Sequence, residues 1–217
     1  MAKRVAVLIS GEGKGRNPTA PAQQNNPPLG TNLQALIDAQ GTPQLPDTRI
    51  VLVFSNRKAA NGLKRAEAAN ISTGYLALKT YLKANPDKTR DDYDAEVARR
   101  ILEAEPDLVV LAGWMHVFGD GFLSLVAAPV INLHPALPKA FDGANAIERA
   151  YDAFQRGEIE HSGVMVHRVV KEVDAGEPLV VRDVPIVQGE SLEDFATRIH
   201  SVEWEIIVEA TAKVLAD

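Results

Sequence analysis

The sequence predicts an α/β fold: an open, mostly parallel twisted sheet flanked by helices, with an antiparallel C-terminal strand pair and a long C-terminal helix. Two observations carry this prediction. Short apolar runs alternate with helical patterns through most of the chain, as in a wound parallel sheet. Near the C-terminus, two strand-like runs are separated only by a tight acidic turn, which favours antiparallel pairing.

The composition is typical of a globular protein. The 217 residues are 46% hydrophobic and 24% charged, so we expect one domain over residues 1–217. The net charge of −6 disfavours nucleic acid as a partner, and the absence of cysteine and of a His-Glu-x-x-His pattern disfavours a metal. The first apolar run is too short for a signal peptide or a membrane span. We therefore expect a cytoplasmic protein without a membrane partner, and the oligomeric state (monomer or homodimer) stays open.

Four strands are predicted in the first half of the chain, at residues 4–9, 50–55, 75–78 and 108–112. The last of these is fully apolar and is expected at the centre of the sheet. Helices are predicted from Thr31 or Asn32 onwards, at 62–69 and at 90–104. The polar stretch 81–91 is expected to be a loop.

An insertion, residues 14–29, separates the first strand from the first helix. It holds four prolines and few apolar residues, so we expect a flexible surface excursion. The preceding Gly11–Gly15 segment lacks the last glycine of the dinucleotide pattern and the Gly-Lys-Ser/Thr ending of a P-loop, which leaves a plain loop as the simpler interpretation. No acidic residue follows strand 50–55, which disfavours NAD. If a phosphate binds here, Gly30-Thr31-Asn32 at the helix start is the better site.

In the second half, strands are predicted at 130–134, 162–167 and from 179 towards 185, and helices at 119–126, 144–155 and from Ser191 onwards. Ser191 and Asp194 form a capping box, and Phe195, Ile199, Val202 and Ile206 face inward from the final helix.

Asn132 and His134 are the first candidates for chemistry. Residues two apart in a strand point the same way, and the carboxyl end of a strand is where open α/β sheets bind ligands. An amide beside an imidazole can polarise a carbonyl and hold its oxyanion, with a downstream carboxylate to orient the imidazole. A satisfied buried pair is the alternative. The aromatic segment Gly113–Phe118 is likewise either core or one wall of a flat-ligand pocket.

Several motifs in a fixed order make the chain resemble one family. They are Leu8-Ile9-Ser10-Gly11, Gly30-Thr31-Asn32-Leu33-Gln34-Ala35, Val53-Phe54-Ser55-Asn56, Ala112-Gly113-Trp114-Met115, Asn132-Leu133-His134-Pro135, and Gly163-x-Met165-Val166-His167 with Val173-Asp174-x-Gly176. From Val5 to Leu215 the sequence resembles the phosphoribosylglycinamide formyltransferases. The resemblance implies a Rossmann-like formyltransferase fold. It also implies transfer of the formyl group of 10-formyltetrahydrofolate to the amine of glycinamide ribonucleotide in purine biosynthesis, through a tetrahedral oxyanion.

The resemblance also implies the roles of three catalytic residues. Asn132 matches the asparagine that holds the formyl oxygen, and His134 matches the histidine that donates a proton. Asp174 matches the aspartate that keeps this histidine protonated, as an adjacent carboxylate should.

Ligand contacts follow from the same resemblance. Positions that hold the ribonucleotide are matched by Gly30, Thr31, Asn32 and Glu203. Folate positions are matched by Arg90, Met115, His116, Val117 and Phe118, together with Asn132. Asp120, Lys139 and Asp142 have no such match and are expected to be surface residues.

The chain departs from the family in the insertion and in His-Pro-Ala-Leu-Pro, which is one residue shorter than the family's common form. A formyltransferase acting on methionyl-tRNA is the nearest rival. It would need a nucleic-acid-binding extension, which we do not expect in an acidic chain that ends at Asp217. A non-catalytic nucleotide- or folate-binding module is the second rival.

Overall fold

The computed structural model describes residues 2–11 and 31–217, so that the whole insertion 14–29 and Gly30 lie outside the described residues. The strands are β1 (Lys3–Ile9), β2 (Thr48–Ser55), β3 (Thr73–Tyr75), β4 (Leu108–Leu111), β5 (Val130–His134), β6 (His161–Arg168) and β7 (Pro178–Pro185). The helices are α1 (Asn32–Ala39), α2 (Asn61–Ala68), α3 (Leu78–Ala84), α4 (Arg90–Leu102), α5 (Asp120–Leu123), α6 (Ala146–Gln155) and α7 (Leu192–Ala216).

All seven described strands join one sheet, in the order β3-β2-β1-β4-β5-β6-β7. Neighbours from β3 to β5 are parallel, whereas β6 is antiparallel to both β5 and β7. The predicted fold class is confirmed, and β4 is central as its apolar sequence indicated. The single-domain organisation over residues 1–217 stays a prediction.

Hydrophobic cores lie on both faces of the sheet because side chains alternate along each strand. Val5 and Val7 face one core, which α1, α6 and α7 cover. Ala6 and Leu8 face the other, which α4 and α5 cover. A sheet covered on both faces explains why its strands read as almost continuous apolar runs.

The strand order reverses between β1 and β4, and such a switch point opens a crevice at the carboxyl ends of the strands. Ser10, which follows β1, links its two sides. Its backbone N–H donates to the carbonyl of Gly113 at 3.0 Å, and its hydroxyl accepts from the N–H of Met115 at 2.8 Å. The segment after β4 is thereby fixed at the same sheet edge as the end of β5.

Helix α7 brings a distant part of the chain to this edge. Its cap forms as predicted, with the Ser191 hydroxyl accepting from the Asp194 N–H at 3.1 Å, and Phe195, Ile199 and Ile206 are fully buried. Glu203 on the same helix reaches the start of α1, where Thr31 is the cap. Within the described residues, no helix combines the length and the apolar character that a membrane crossing requires.

The predictions for residues 75–91 were partly wrong. The strand ends at Tyr75, and Leu78 begins α3 instead of ending the strand. Part of the predicted loop is therefore helical. Leu78 and Tyr81 pack against the second core, with the Tyr81 ring meeting Tyr93 edge-on at 5.8 Å between centroids. This tertiary packing stabilises α3, which is too short to be predicted from its sequence pattern.

Candidate active site

Asn132, His134 and Asp174 converge at the carboxyl end of β5. The Asn132 amide nitrogen donates to Asp174 Oδ1 at 3.3 Å, and His134 Nδ1 lies 3.4 Å from Asp174 Oδ2. His134 is 3% exposed. The sequence-based prediction that these three side chains lie within reach of one another is confirmed, while their catalytic roles stay predictions.

His167 is a fourth member that the sequence reasoning missed. It faces Asn132 across the antiparallel β5–β6 pair, and its Nε2 lies 3.2 Å from the Asn132 amide nitrogen and 3.4 Å from Asp174 Oδ1. Its Nδ1 lies 2.9 Å from the carbonyl of Arg168, which can only accept, so Nδ1 carries a hydrogen. His167 Nε2 accepts from the Asn132 amide when it carries no hydrogen and donates to Asp174 Oδ1 when it does. Its sequence signal was its place in the Gly163–His167 motif, but only the register reveals its partner.

When His167 Nε2 accepts, the Asn132 amide has both of its hydrogens engaged, one towards His167 and one towards Asp174. Holding a formyl oxygen therefore requires the amide to release one of these bonds. Both are longer than the usual N–H···O distance, and such contacts rearrange readily when a ligand binds.

Asp174 is held as a carboxylate by its surroundings. Burial opposes ionisation, but hydrogen bonds from His167 and from the Gly143 N–H, together with charge on both histidines, outweigh it and lower the pKa of Asp174. The residue has a left-handed backbone with φ of 53°. Nearby, a Cβ on Gly176 would come within 1.6 Å of the Arg168 carbonyl oxygen. Only glycine at position 176 allows the loop to fold back so closely.

Two further features surround His134. Its Nε2 is buried and has no hydrogen-bond partner among the described residues. In addition, ligand atoms of His134, Asp142 and Asp174 lie within 4.8 Å of one another. Asp142 is exposed, as predicted for a surface residue, but it borders the trio, which the sequence did not indicate. These three are the residues of the described chain best placed to hold a cation, and the expectation of no metal stays a prediction.

The start of α1 forms the second part of the site. The Asn32 amide nitrogen donates to Glu203 Oε2 at 3.2 Å, and the Asn32 amide oxygen is buried without a partner among the described residues. Glu203 is 5% exposed, and burial raises its pKa to about 7, against a smaller opposing effect of the bond from Asn32. Thr31 caps the helix by accepting from the Gln34 N–H at 3.1 Å. Gly30, the fourth predicted ribonucleotide residue, lies outside the described residues.

The predicted folate residues divide into two sets. Met115 and Val117 are exposed, at 73% and 49%, whereas the Phe118 ring is buried and stacks on Trp114 and Phe122. Segment 113–118 therefore contributes Phe118 to the core and exposes Met115 and Val117. Core alone does not describe this segment, and its use as the wall of a ligand pocket stays a prediction. Arg90, at the start of α4, is exposed and donates to the Val117 carbonyl at 2.7 Å.

His116 points inward and anchors this segment. Its Nε2 lies 2.5 Å from a carboxylate oxygen of buried Asp94, whose other oxygen accepts from the Gly119 N–H at 2.8 Å. A side chain committed to this pair is not free to contact a ligand. His116 is therefore expected to contribute through the backbone it fixes, which the sequence resemblance alone did not distinguish.

Comparison with known proteins places the chain in a family. The family model described as formyl transferase matches residues 28–211. The chain belongs to the formyltransferase family. Among relatives, phosphoribosylglycinamide formyltransferase of Schizosaccharomyces pombe is 45% identical over 193 residues, which make up 87% of this chain and 93% of that protein. The Escherichia coli protein of the same name is 36% identical over 177 residues, 82% of this chain and 78% of that protein.

Solved structures of formyltransferases agree with the fold. Phosphoribosylglycinamide formyltransferase from Bacillus halodurans has a TM-score of 0.81 at 29% identity, covering 99% of this chain and 96% of that one. Glycinamide ribonucleotide transformylase 1 from Geobacillus kaustophilus has a TM-score of 0.80 at 31% identity, covering 99% of this chain and all of that one. The formyltransferase family uses a formyl donor derived from folate.

Proposed function

We propose that this enzyme transfers the formyl group of 10-formyltetrahydrofolate to the amine of glycinamide ribonucleotide in purine biosynthesis. The observation that carries the proposal is the convergence of Asn132, His134 and Asp174 at the carboxyl end of β5. Named relatives at 45% and 36% identity support the choice of acceptor. The proposal also includes a cytoplasmic location and small-molecule substrates, with no nucleic-acid or membrane partner. The reaction is proposed to need no metal.

The reaction begins when the amine lone pair forms a bond to the formyl carbon and the carbonyl π electrons move to oxygen. The resulting tetrahedral intermediate carries an oxyanion, which Asn132 stabilises once its amide releases a bond to Asp174 or His167. Preorganised donors of this kind are typically worth about 10²–10³ in rate.

His134 supplies the proton that the folate nitrogen needs to leave. Its buried Nε2 lacks a partner among the described residues, so it is available to a ligand, while Nδ1 faces Asp174. The Asp174 carboxylate stabilises the protonated imidazole electrostatically and fixes its orientation. Breakage of the C–N bond leaves the electron pair on the folate nitrogen, which takes this proton.

The two substrates approach along the same sheet edge from different sides. Asn32 and Glu203 offer oxygen atoms to ribose hydroxyls, and the start of α1, capped by Thr31, offers N–H groups to the phosphate. Arg90, Met115 and Val117 are exposed residues suited to a folate contact, and Asn132 is proposed to face the formyl group. When both ligands bind beside His134, the amine nitrogen and the formyl carbon are held close enough to react.

A formyl-transfer assay with both substrates tests the proposal. We expect one formylated ribonucleotide for each 10-formyltetrahydrofolate consumed, and no formylation of methionyl-tRNA. A binding titration of each substrate should accompany the assay. Affinity for both ligands without transfer would identify a binding module instead of an enzyme and would overturn the proposal.

A further inference from the structure

Asp142 stands in the active site without any task in the reaction described so far. It lies in the loop between β5 and α6, is exposed, and its carboxylate has no hydrogen bond or ion pair with the described residues. One of its oxygens lies within 4.8 Å of a ring nitrogen of His134 and of an oxygen of Asp174. A solvent-facing carboxylate in this position is available to a substrate.

The protein fixes the backbone that carries this carboxylate. Arg149 on α6 donates through Nη2 to the carbonyl of Asp142 at 2.7 Å and also to the carbonyl of Phe141, and its guanidinium lies 5.8 Å from the centre of the Phe141 ring. On the other side, the Gly143 N–H donates to Asp174 Oδ2 at 2.8 Å. Asp142 is therefore held between two anchors, and its place beside His134 is set by the fold.

Asp142 differs from Asp174 in what it can still bind. Both oxygens of Asp174 are occupied: Oδ1 faces Asn132 and His167, and Oδ2 faces His134 and Gly143. Its pKa is also lowered, so it is a poor proton acceptor. Asp142 has all its acceptor positions free towards the described residues.

The spacing suits one small nitrogen-centred group. For three atoms at most 4.8 Å apart, a central atom lies at about 2.8 Å or less from each, which is hydrogen-bond distance. A primary amine, which is predominantly an ammonium ion near neutral pH, can donate a hydrogen bond from this position to the free Asp142 carboxylate. It must then lose a proton to become a nucleophile.

We propose that Asp142 is a further catalytic residue, which binds the attacking amine and accepts its proton. The inference rests on the proposed function. Asp142 first accepts a proton from the bound ammonium group and passes it to solvent. As the nitrogen lone pair then forms the new C–N bond, the nitrogen becomes positively charged, and a second N–H bond breaks with its proton passing to the regenerated Asp142 carboxylate. His134 delivers a proton to the departing folate nitrogen as the oxyanion re-forms the carbonyl, so that one proton from the amine is balanced by the proton given to folate and the other is released to solvent. Solvent restores both side chains afterwards.

The test compares Asp142→Asn with Glu172→Gln, since Glu172 is an exposed acid in the same loop as Asp174 and its replacement removes the same charge. We expect Asp142→Asn to lower kcat/KM for the ribonucleotide by roughly tenfold to a hundredfold, with KM for the folate within about twofold. Glu172→Gln should stay within about twofold of the wild type. Asp142→Glu, which keeps the carboxylate, should recover part of the loss.

A ligand without the amine separates catalysis from loop structure. An analogue with a hydroxyl group in place of the amine should bind to wild type and Asp142→Asn equally, whereas the ribonucleotide itself should bind to the variant at least fivefold more weakly. Equal weakening of both ligands, or activity of Asp142→Asn within twofold of wild type, would overturn the inference. Inhibition of the wild type by EDTA, lost in the variant, would overturn it in favour of a cation site. Absence of turnover in the wild type would instead overturn the proposed function.

Discussion

Glu203 should make the stability of the folded protein depend on pH. Burial raises its pKa to about 7 from a value of 4.5, so the folded state binds this proton more tightly than the unfolded state. The favourable contribution of the proton is complete below the unfolded value and is lost as pH rises through the folded value. One pKa unit corresponds to about 1.4 kcal/mol, so the two states differ by roughly 3 kcal/mol in all. Between pH 5 and pH 8, about 2.5 kcal/mol of this should be lost.

Glu203→Gln removes the titration while keeping the size of the side chain. We expect the free energy of unfolding of this variant, measured relative to the wild type, to increase by roughly 2.5 kcal/mol from pH 5 to pH 8. Urea unfolding of both proteins at the two pH values gives the comparison, in which contributions of all other groups cancel. Glu205→Gln, an exposed position on the same helix, is the control and should change by a few tenths of a kcal/mol at most. Parallel pH dependence of wild type and Glu203→Gln would refute the reasoning.

Three other substitutions test the rest of the site. Asp174→Asn removes the charge that is proposed to stabilise protonated His134. We expect kcat to fall by roughly a hundredfold or more with little change in either KM, and near-normal turnover in steady-state assays would contradict this role. Gly176→Ala places a Cβ against the Arg168 carbonyl. We expect the free energy of unfolding in urea to fall by roughly 1–3 kcal/mol and kcat to fall because Asp174 is displaced. An unchanged unfolding midpoint and an unchanged kcat would contradict this expectation. Arg90→Ala should raise KM for the folate by about tenfold, because a charge-assisted contact is worth about 1.5 kcal/mol, and should leave KM for the ribonucleotide unchanged. Equal effects on the two KM values would argue against a folate contact.

Much of the site could be predicted because it rests on local rules. The two-residue period of a strand places Asn132 and His134 on one face, and the fully apolar β4 sequence indicates the centre of the sheet. The Ser191 cap of α7 follows from its Ser-x-x-Asp pattern, and the inward residues of this helix follow from the helical period. Asp174 came from the family resemblance, since nothing in its local sequence distinguishes it from Glu172 or Glu177.

The missed features depend on contacts between distant residues. His167 joins the trio only through the β5–β6 register, which pairs it with Asn132 from 35 positions away. Asp142 lies beside His134 because Arg149 and Asp174 hold its loop, and no periodic pattern encodes such a loop. Helix α3 forms where Tyr81 can pack on Tyr93. In each case, tertiary partners decide what the local sequence leaves open.

Two hydrogen bonds of the site join residues that are far apart in the sequence. Asn132 lies 42 positions before Asp174, and Asn32 lies 171 positions before Glu203, so both hydrogen bonds close long loops. Closing such loops costs entropy that only late, non-local packing returns. During biosynthesis, the parallel half of the sheet is complete before β6, β7 and α7 have been made. A nascent chain therefore holds Asn132 and His134 without Asp174 and Glu203, and the proposed active site is assembled only with the last quarter of the polypeptide.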